Sequence, residues 1–364
     1  MRTLKVCHMT SAHPPEDVRI FHKECTSLAN AGYEVFLVER GESYEKNGVH
    51  VVGVGEIPES RCKRMVEGTK RVYEKALSLD CDIYHLHDPE LIPYGLKLKK
   101  KGKKVIFDSH EDVPATIMDK EWIPLFLRKS VAELYRAFET KSVGQLDAVV
   151  AATPYIAELF RYRAKRSVAV SNFPRLDDIV FHEKDFSECD PLVCYAGSIS
   201  ALRGEQIMID AMNGVEADLL IAGTHEKQVI GNGSHSIRYL GSLDRAGINE
   251  LYGKAIVGLC LLKPARNYVN SQPVKMFEYM AAGLPFVCSD FPLWRHFAEE
   301  SGAGFCVDPS DDEAIRAAIC RLLDDRKLAE EMGRRGRKCV IANYSWSNEE
   351  KTLLDLYRSI GEKL

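Results

Sequence analysis

Residues 271 to 290 read SQPVKMFEYMAAGLPFVCSD, and Lys275 and Glu278 stand there as two charges inside an otherwise apolar stretch. Pro273 suits a first helical turn, Gly283 suits a left-handed stop, and Pro285 forbids continuation. The spacing therefore predicts a short helix, capped by Ser271 or Gln272 and followed by a strand through PFVCSD. A lysine in a first turn faces the positive end of the helix dipole, which is unfavourable unless an anion comes to it. At about 1.5 Å rise per residue, Glu278 lies roughly 7 to 8 Å along the axis from Pro273. That is about the separation of a diphosphate and its ribose in a nucleotide. A diphosphate at the helix N-terminus, where the polar loop Asn270, Ser271, Gln272 opens, would leave Glu278 to accept hydrogen bonds from two ribose hydroxyls. The plainer alternative is that Lys275 and Glu278 both face solvent.

A second cluster is CYAGSISALRG, residues 194 to 204. It places Gly197 and Ser198 at a strand end and Arg203 at the opening of a helix, where backbone amides and one guanidinium suit a phosphate. An ordinary turn with a solvated arginine explains it about as well. No G-x-G-x-x-G follows any strand, which argues against a dinucleotide-dependent oxidoreductase. In the first half, HPPEDVRIFHKE (13–24) follows the first strand. Its Asp17 and Arg19 are either catalytic or substrate-orienting, or pair near the helix start. YHLHDPEL carries His85, His87, Asp88 and Glu90, and FDSHED carries Asp108, His110, Glu111 and Asp112, both at predicted strand ends. Histidines two apart in a strand share a face, so a metal site is conceivable. Carbonyl-capping or acceptor-binding histidines account for the same pattern, and His110 is an adequate polar group beside a reacting sugar.

The elements that must position these groups come in two series. Apolar runs LKVCHMTS, YEVFLVER, VHVVGVG, CDIYHLHD, KVIFDSH and AVVAAT alternate with amphipathic stretches, and LVCYAGSI, DLLIAGT, IRYLGSL, VGLCLL, PFVCSD and GFCV repeat the scheme after residue 190. Alternation of this kind predicts α/β architecture with parallel, doubly wound sheets, whose ligands bind beyond the strand C-termini. At 364 residues and 45% hydrophobic content the chain is large enough for two domains. The expected division is 1–170 with a returning C-terminal helix 345–364, a hinge at 171–190, and 191–344. A net charge of −4 gives no electrostatic case for nucleic acid. Eleven scattered cysteines without metal spacing suit a reducing compartment. Without a leader-like N-terminus or a spanning segment, the expectation is a cytoplasmic protein, soluble or peripherally attached. The basic stretches 61–71 and 97–104, and the aromatic, aliphatic and lysine-bearing 121–141, suit either anionic lipid or ordinary helix faces.

Taken together and in order, HPPEDVRIFHKECTSLANAGYEV, YHLHDPEL, FDSHED, AATPYIAE, YAGSISALRG and PVKMFEYMAAGLPFVCSD resemble the family 4 retaining glycosyltransferases over essentially the whole chain. The resemblance implies the GT-B fold, two Rossmann-like domains facing a cleft, with a nucleotide-sugar donor on the C-terminal domain and the acceptor mainly on the N-terminal one. It implies that Glu278 holds the ribose, Arg203 and Lys275 the diphosphate, and Gly223, Leu240 and Gly241 the turns beside the base. His110 would stand near the sugar, with His13, Asp17, Arg19, His87, Asp88 and Glu111 on the acceptor or sugar side, and no metal or cofactor taking part. The implied donor is a UDP-sugar and the implied acceptor a glycan or lipid-linked glycan of cell-surface polysaccharide assembly. Asn270 stands where the family's first motif glutamate would be, and Ser198 where a second basic residue is expected. The first loop also lacks the usual Gly-Gly pair, and its HP-x-x-D-x-R opening marks a branch. A nucleotide-sugar 2-epimerase of the same fold and a non-catalytic nucleotide-sugar-binding protein are the competing expectations.

Overall fold

The computed structural model describes residues 2–58, 60, 63–120, 122–224 and 237–362. The chain divides into two compact units, residues 1–172 with 347–364, and residues 173–346. The expected basic stretch 61–71 loses Arg61 and Cys62 to the undescribed residues, and 121–141 loses Glu121.

In the first unit, strands β1 (Lys5–Met9), β2 (Glu34–Glu39), β3 (Tyr44–Lys46), β4 (Val49–Gly53), β5 (Ile83–Leu86), β6 (Lys104–Ser109), β7 (Ala148–Ala151) and β8 (Ser167–Ala169) form one sheet. Its order is β3-β4-β2-β1-β5-β6-β7-β8. Every pairing is parallel except β3 with β4. The central strands are buried on both faces because helices cover both, as a parallel sheet requires. The direction of strand addition reverses between β1 and β5, so the loops after those two strands are neighbours. The helix after the first loop begins at Val18 with eight residues of wide, π-type turns to Cys25, then continues as an α-helix to Asn30. Such widened turns are rare and concentrate at functional sites. The last helix, Trp346–Gly361, buries Leu353, Leu356 and Tyr357, and from Ser347 onward it belongs to this unit.

The second unit holds β9 (Leu192–Ala196), β10 (Asp218–Ala222), β11 (Ile237–Gly241), β12 (Val257–Cys260), β13 (Phe286–Ser289) and β14 (Gly304–Val307). All are parallel, in the order β11-β10-β9-β12-β13-β14, with the reversal between β9 and β12. Its core includes Tyr195, Tyr252, Phe277, Tyr279 and Trp294, and the segment after Asn172 joins it through Phe173, Ile179 and Phe186.

Both doubly wound parallel sheets were legible in the apolar runs, and each of the twelve runs contains a strand. β3 and β8 were not expected, since YEK and SVA are too short to show a period. One local expectation is corrected. The helix of the 271–290 stretch spans Val274–Ala282 and its cap is Pro273, not Ser271 or Gln272; it ends, as expected, at a left-handed Gly283.

Candidate active site

In the second unit the candidate residues gather at the C-terminal ends of β9, β10 and β11 and along the helix Val274–Ala282. The Gly197 amide donates to Ala222 O (2.9 Å) and the Gly223 amide to Gly241 O (2.7 Å), tying the three strand ends together. Gly223 has φ +148°, and a Cβ there would lie 1.8 Å from the Gly197 carbonyl oxygen, so no other residue fits. At Gly197 (φ +140°) a Cβ would lie 2.9 Å from Lys275 Nζ, which puts the ammonium directly against the turn. Leu240 and Gly241 are exposed.

Lys275 is the most distinctive group of this cluster. Its Nζ is buried, has no hydrogen-bond acceptor among the described residues, and sits 3.5 Å from the centre of the Tyr195 ring. Burial above all, with the positive charge of Arg203 adding to it, lowers its pKa to about 8. Arg203 is half-buried next to Tyr195, in a turn closed by the Ser200 side chain and by left-handed Gly204, where a Cβ would meet Leu261 O at 1.9 Å. Tyr195 donates to Ser198 O (2.8 Å). The Gln272 Oε1 is a second buried polar atom without a partner here. Ser271 is fixed through its carbonyl by Trp294 Nε1 (2.8 Å), and Asn270 is exposed.

Glu278 is not free in solvent. Its two oxygens accept from Arg245 Nη1 (2.9 Å) and the Tyr252 hydroxyl (2.9 Å). Arg245 and Tyr252, from the neighbouring helix Arg245–Lys254, escaped the sequence reading, as did Tyr195 under Lys275. Nothing in the local pattern pairs residues 33 or 26 positions apart.

In the first unit, the loops after β1, β5 and β6 bring together His13, Asp17, Asp88 and His110. Asp88, buried, organises the first loop: it accepts from the Ser11 amide and hydroxyl, the Ala12 amide (3.1 Å) and Thr10 Oγ1, and pairs with His13 Nδ1 (3.0 Å). Burial would lower the His13 pKa, but the Asp88 carboxylate outweighs it and the net shift is upward. The His13 and His110 rings meet edge to face at 4.9 Å, both partly exposed. Asp17 caps the π-type helix, accepting from the Arg19 and Ile20 amides (2.9 and 3.0 Å). Glu111 is exposed and accepts from Thr116 Oγ1.

Arg19 and His87 lie deeper than a substrate-facing role suggests. The Arg19 guanidinium is buried, binds Asp108 through two nitrogens (2.9 Å each), and donates to Val170 O (2.7 Å). Burial would raise the Asp108 carboxyl, yet Arg19, His110 and His87 hold it well below the usual carboxylate range. His87 Nδ1 is 3.1 Å and His110 Nε2 2.8 Å from the same Asp108 oxygen. Arg19 and Asp108 thus set the orientation of His110 from beneath.

Residues 18–173 match the family described as Glycosyltransferase Family 4, and residues 178–339 the one described as Glycosyl transferases group 1. Among curated proteins, the chain is 24% identical over 301 residues to a phosphatidyl-myo-inositol mannosyltransferase of Mycobacterium leprae, covering 78% of this chain and 74% of that one. It is 27% identical over 183 residues to an alpha-D-kanosaminyltransferase of Streptomyces kanamyceticus, covering 47% and 46%. Among solved structures, sucrose-phosphate synthase from Thermosynechococcus elongatus superposes with a TM-score of 0.78 at 18% identity over 100% of both chains. HepE of Anabaena, solved with UDP-glucose, gives 0.72 at 11% over 98% of this chain and 100% of that one.

Proposed function

Because the chain belongs to the family 4 glycosyltransferases and has the GT-B fold, we propose that it moves a hexosyl or N-acetylhexosaminyl group from a UDP-sugar to a hydroxyl acceptor, with retention of anomeric configuration. The observation that carries this reading is Lys275: a buried ammonium with no acceptor among the described residues, at the first turn of a helix whose next turn bears Glu278. A diphosphate laid against Gly197, Arg203 and Lys275 would supply the missing anion, and the ribose hydroxyls would then meet Glu278. For that, Arg245 and Tyr252 serve as the groups that hold the carboxylate in place. The UDP-glucose in HepE supports the choice of base.

In this proposal the bond from the anomeric carbon to the donor phosphate oxygen breaks as the acceptor oxygen bonds to the same face of that carbon. The acceptor proton passes to the departing phosphate oxygen, so that UDP and a glycoside result. Lys275 and Arg203 stabilise the charge that develops on the phosphate, where preorganised cations act most strongly. His110, held by Asp108, and Asp17 orient sugar or acceptor. No step here calls on a metal or a cofactor.

The acceptor we propose is a glycan or lipid-linked glycan met at a membrane face, in cell-surface polysaccharide assembly. What supports this is the exposed apolar surface of Trp122 (65%), Phe126 (81%) and Leu134 (72%), with Leu125, Val131 and Phe138, on and just before the helix Leu125–Val143. Lys129, Arg136 and Lys141 are exposed on the same helix. No described helix is long and apolar enough to cross a membrane.

The test is turnover of UDP-sugars with a panel of glycan and lipid-linked acceptors, followed by NMR of the product anomeric proton. A product of the donor's own anomeric configuration is expected. An inverted product, or UDP release that no acceptor accelerates, would overturn the proposal.

A further inference from the structure

His8 on β1 lies opposite His85 on β5 in the parallel register, and His87 is two residues further along the same face. The π-type helix covers that face and lowers Glu24 onto it. All four side chains are buried, and one donor atom from each lies within 4.8 Å of the others.

The hydrogen bonding leaves a gap at their centre. Glu24 Oε1 lies 3.1 Å from Arg19 Nε, but Oε2 is 3.7 Å from His85 Nδ1, 3.9 Å from His87 Nε2 and 4.0 Å from His8 Nδ1. Those separations are too long for hydrogen bonds. Among the described residues, both Glu24 oxygens and His85 Nε2 are buried without a hydrogen-bond partner, whereas His85 Nδ1 lies 2.8 Å from the Tyr357 hydroxyl. His87 Nδ1 donates to Asp108, so its Nε2 presents a lone pair towards His8 Nδ1 at 2.8 Å. Two buried carboxylates, Glu24 and Asp108, face one guanidinium, Arg19, and the remaining negative charge needs a neutralising partner.

We propose that this cluster is a structural site for a zinc-class divalent cation, held by His8, His87, Glu24 and His85. Ligands at about 2.0 to 2.1 Å in tetrahedral geometry stand about 3.3 to 3.4 Å apart, and the separations of 2.8 to 4.0 Å straddle that value. Three imidazoles and a carboxylate suit zinc better than the oxygen-seeking cations. Asp108 behind His87 is the outer carboxylate that orients a metal-bound histidine. The Tyr357 hydroxyl lies 2.8 Å from His85 Nδ1 and 3.2 Å from His8 Nε2; with the ion bound it would release His85 Nδ1 and accept the proton on His8 Nε2. Four protein ligands in a closed core leave no open position, so the ion would brace the strand and helix beneath His110 and take no part in chemistry. The site departs from the expectation of no metal, and stands independently of the transfer reaction.

The test starts from the full chain purified without a chelator or a metal-affinity step. Elemental analysis should find about one equivalent of zinc-class metal. Protein stripped by unfolding in chelator and refolded with Co(II) should develop the visible d–d absorption of a four-coordinate ion and a higher Tm. Glu24→Gln should lose the absorption, with circular dichroism verifying its fold. Metal-free protein that gains neither absorption nor Tm on adding Co(II) or Zn(II) would overturn the site and leave a proton shared between Glu24 and Asp108 as the neutralising partner. Absorption that survives in folded Glu24→Gln would overturn it equally.

Discussion

Lys275 holds a charge for which the described residues provide no hydrogen-bond partner, and that has a pH consequence. With its pKa lowered to about 8 by burial and by Arg203, the ammonium of the free protein is lost as pH rises through that value. A bound diphosphate favours the charged form, so donor affinity should be greatest below about pH 8 and fall above it. Lys275→Ala should flatten that fall and lower turnover about 10²- to 10³-fold, with circular dichroism unchanged; calorimetric donor Kd against pH checks both. Arg19 makes a different kind of contribution. Removing it leaves Asp108 and Glu24 buried without their cation, so Arg19→Met should destabilise the protein by about 3 to 5 kcal/mol, read as a lower denaturation midpoint. In the wild type, the depressed Asp108 carboxyl contributes stability that is present above its ordinary pKa and is lost as pH falls towards its folded one. The sequence marked Lys275, Glu278, His110 and Arg203 as candidates, because each interrupts an apolar or glycine-punctuated pattern. It did not show that Glu278 is gripped by Arg245 and Tyr252, or that Arg19 points inward, since those depend on side chains brought together by folding.

At the scale of elements, the strands were legible because parallel sheets covered on both faces need unbroken apolar runs. The edge strand β3 and the short β8 were not, because three residues carry no period. Pro273 replaced the expected cap because the proline's own backbone, with ψ 111°, already leaves the helix, so no side-chain cap forms. The π-type turns over Val18–Cys25 were invisible in sequence, yet they set which way Arg19 and Glu24 point. The stretch 121–141 was read as suiting either anionic lipid or an ordinary helix face, and in the helix Leu125–Val143 Phe126 and Leu134 are exposed. Phe126→Glu with Leu134→Glu should abolish sedimentation with anionic phospholipid vesicles while leaving Tm within a degree or two, since surface changes are usually worth under about 0.5 kcal/mol. Unchanged vesicle binding would remove the support this helix gives to a membrane-borne acceptor.

At the scale of the whole molecule, each unit repeats one logic: a parallel sheet reverses its winding, and the loops at that reversal hold the polar groups. The reversal between β9 and β12 bears Gly197, Arg203 and, close by, Lys275 and Glu278. The one between β1 and β5 bears His13 and Asp88, with His110 beside them on β6's loop. Two-domain α/β architecture followed from alternation and length alone, and the proposed donor segment from a single twenty-residue stretch. Acceptor chemistry lies in loops whose composition any polar ligand would satisfy, and so stayed general. The central claim is that the second unit binds a nucleoside diphosphate along the helix Val274–Ala282, with Glu278 at its ribose. The measurement that tests it most directly is thermal stability of the wild type and of Glu278→Gln against UDP-, GDP-, ADP- and dTDP-sugars, since a ligand of the native state raises Tm by mass action. A rise with UDP-sugars that Glu278→Gln loses is the expected result; no rise with any donor, or an equal rise in the variant, would contradict it.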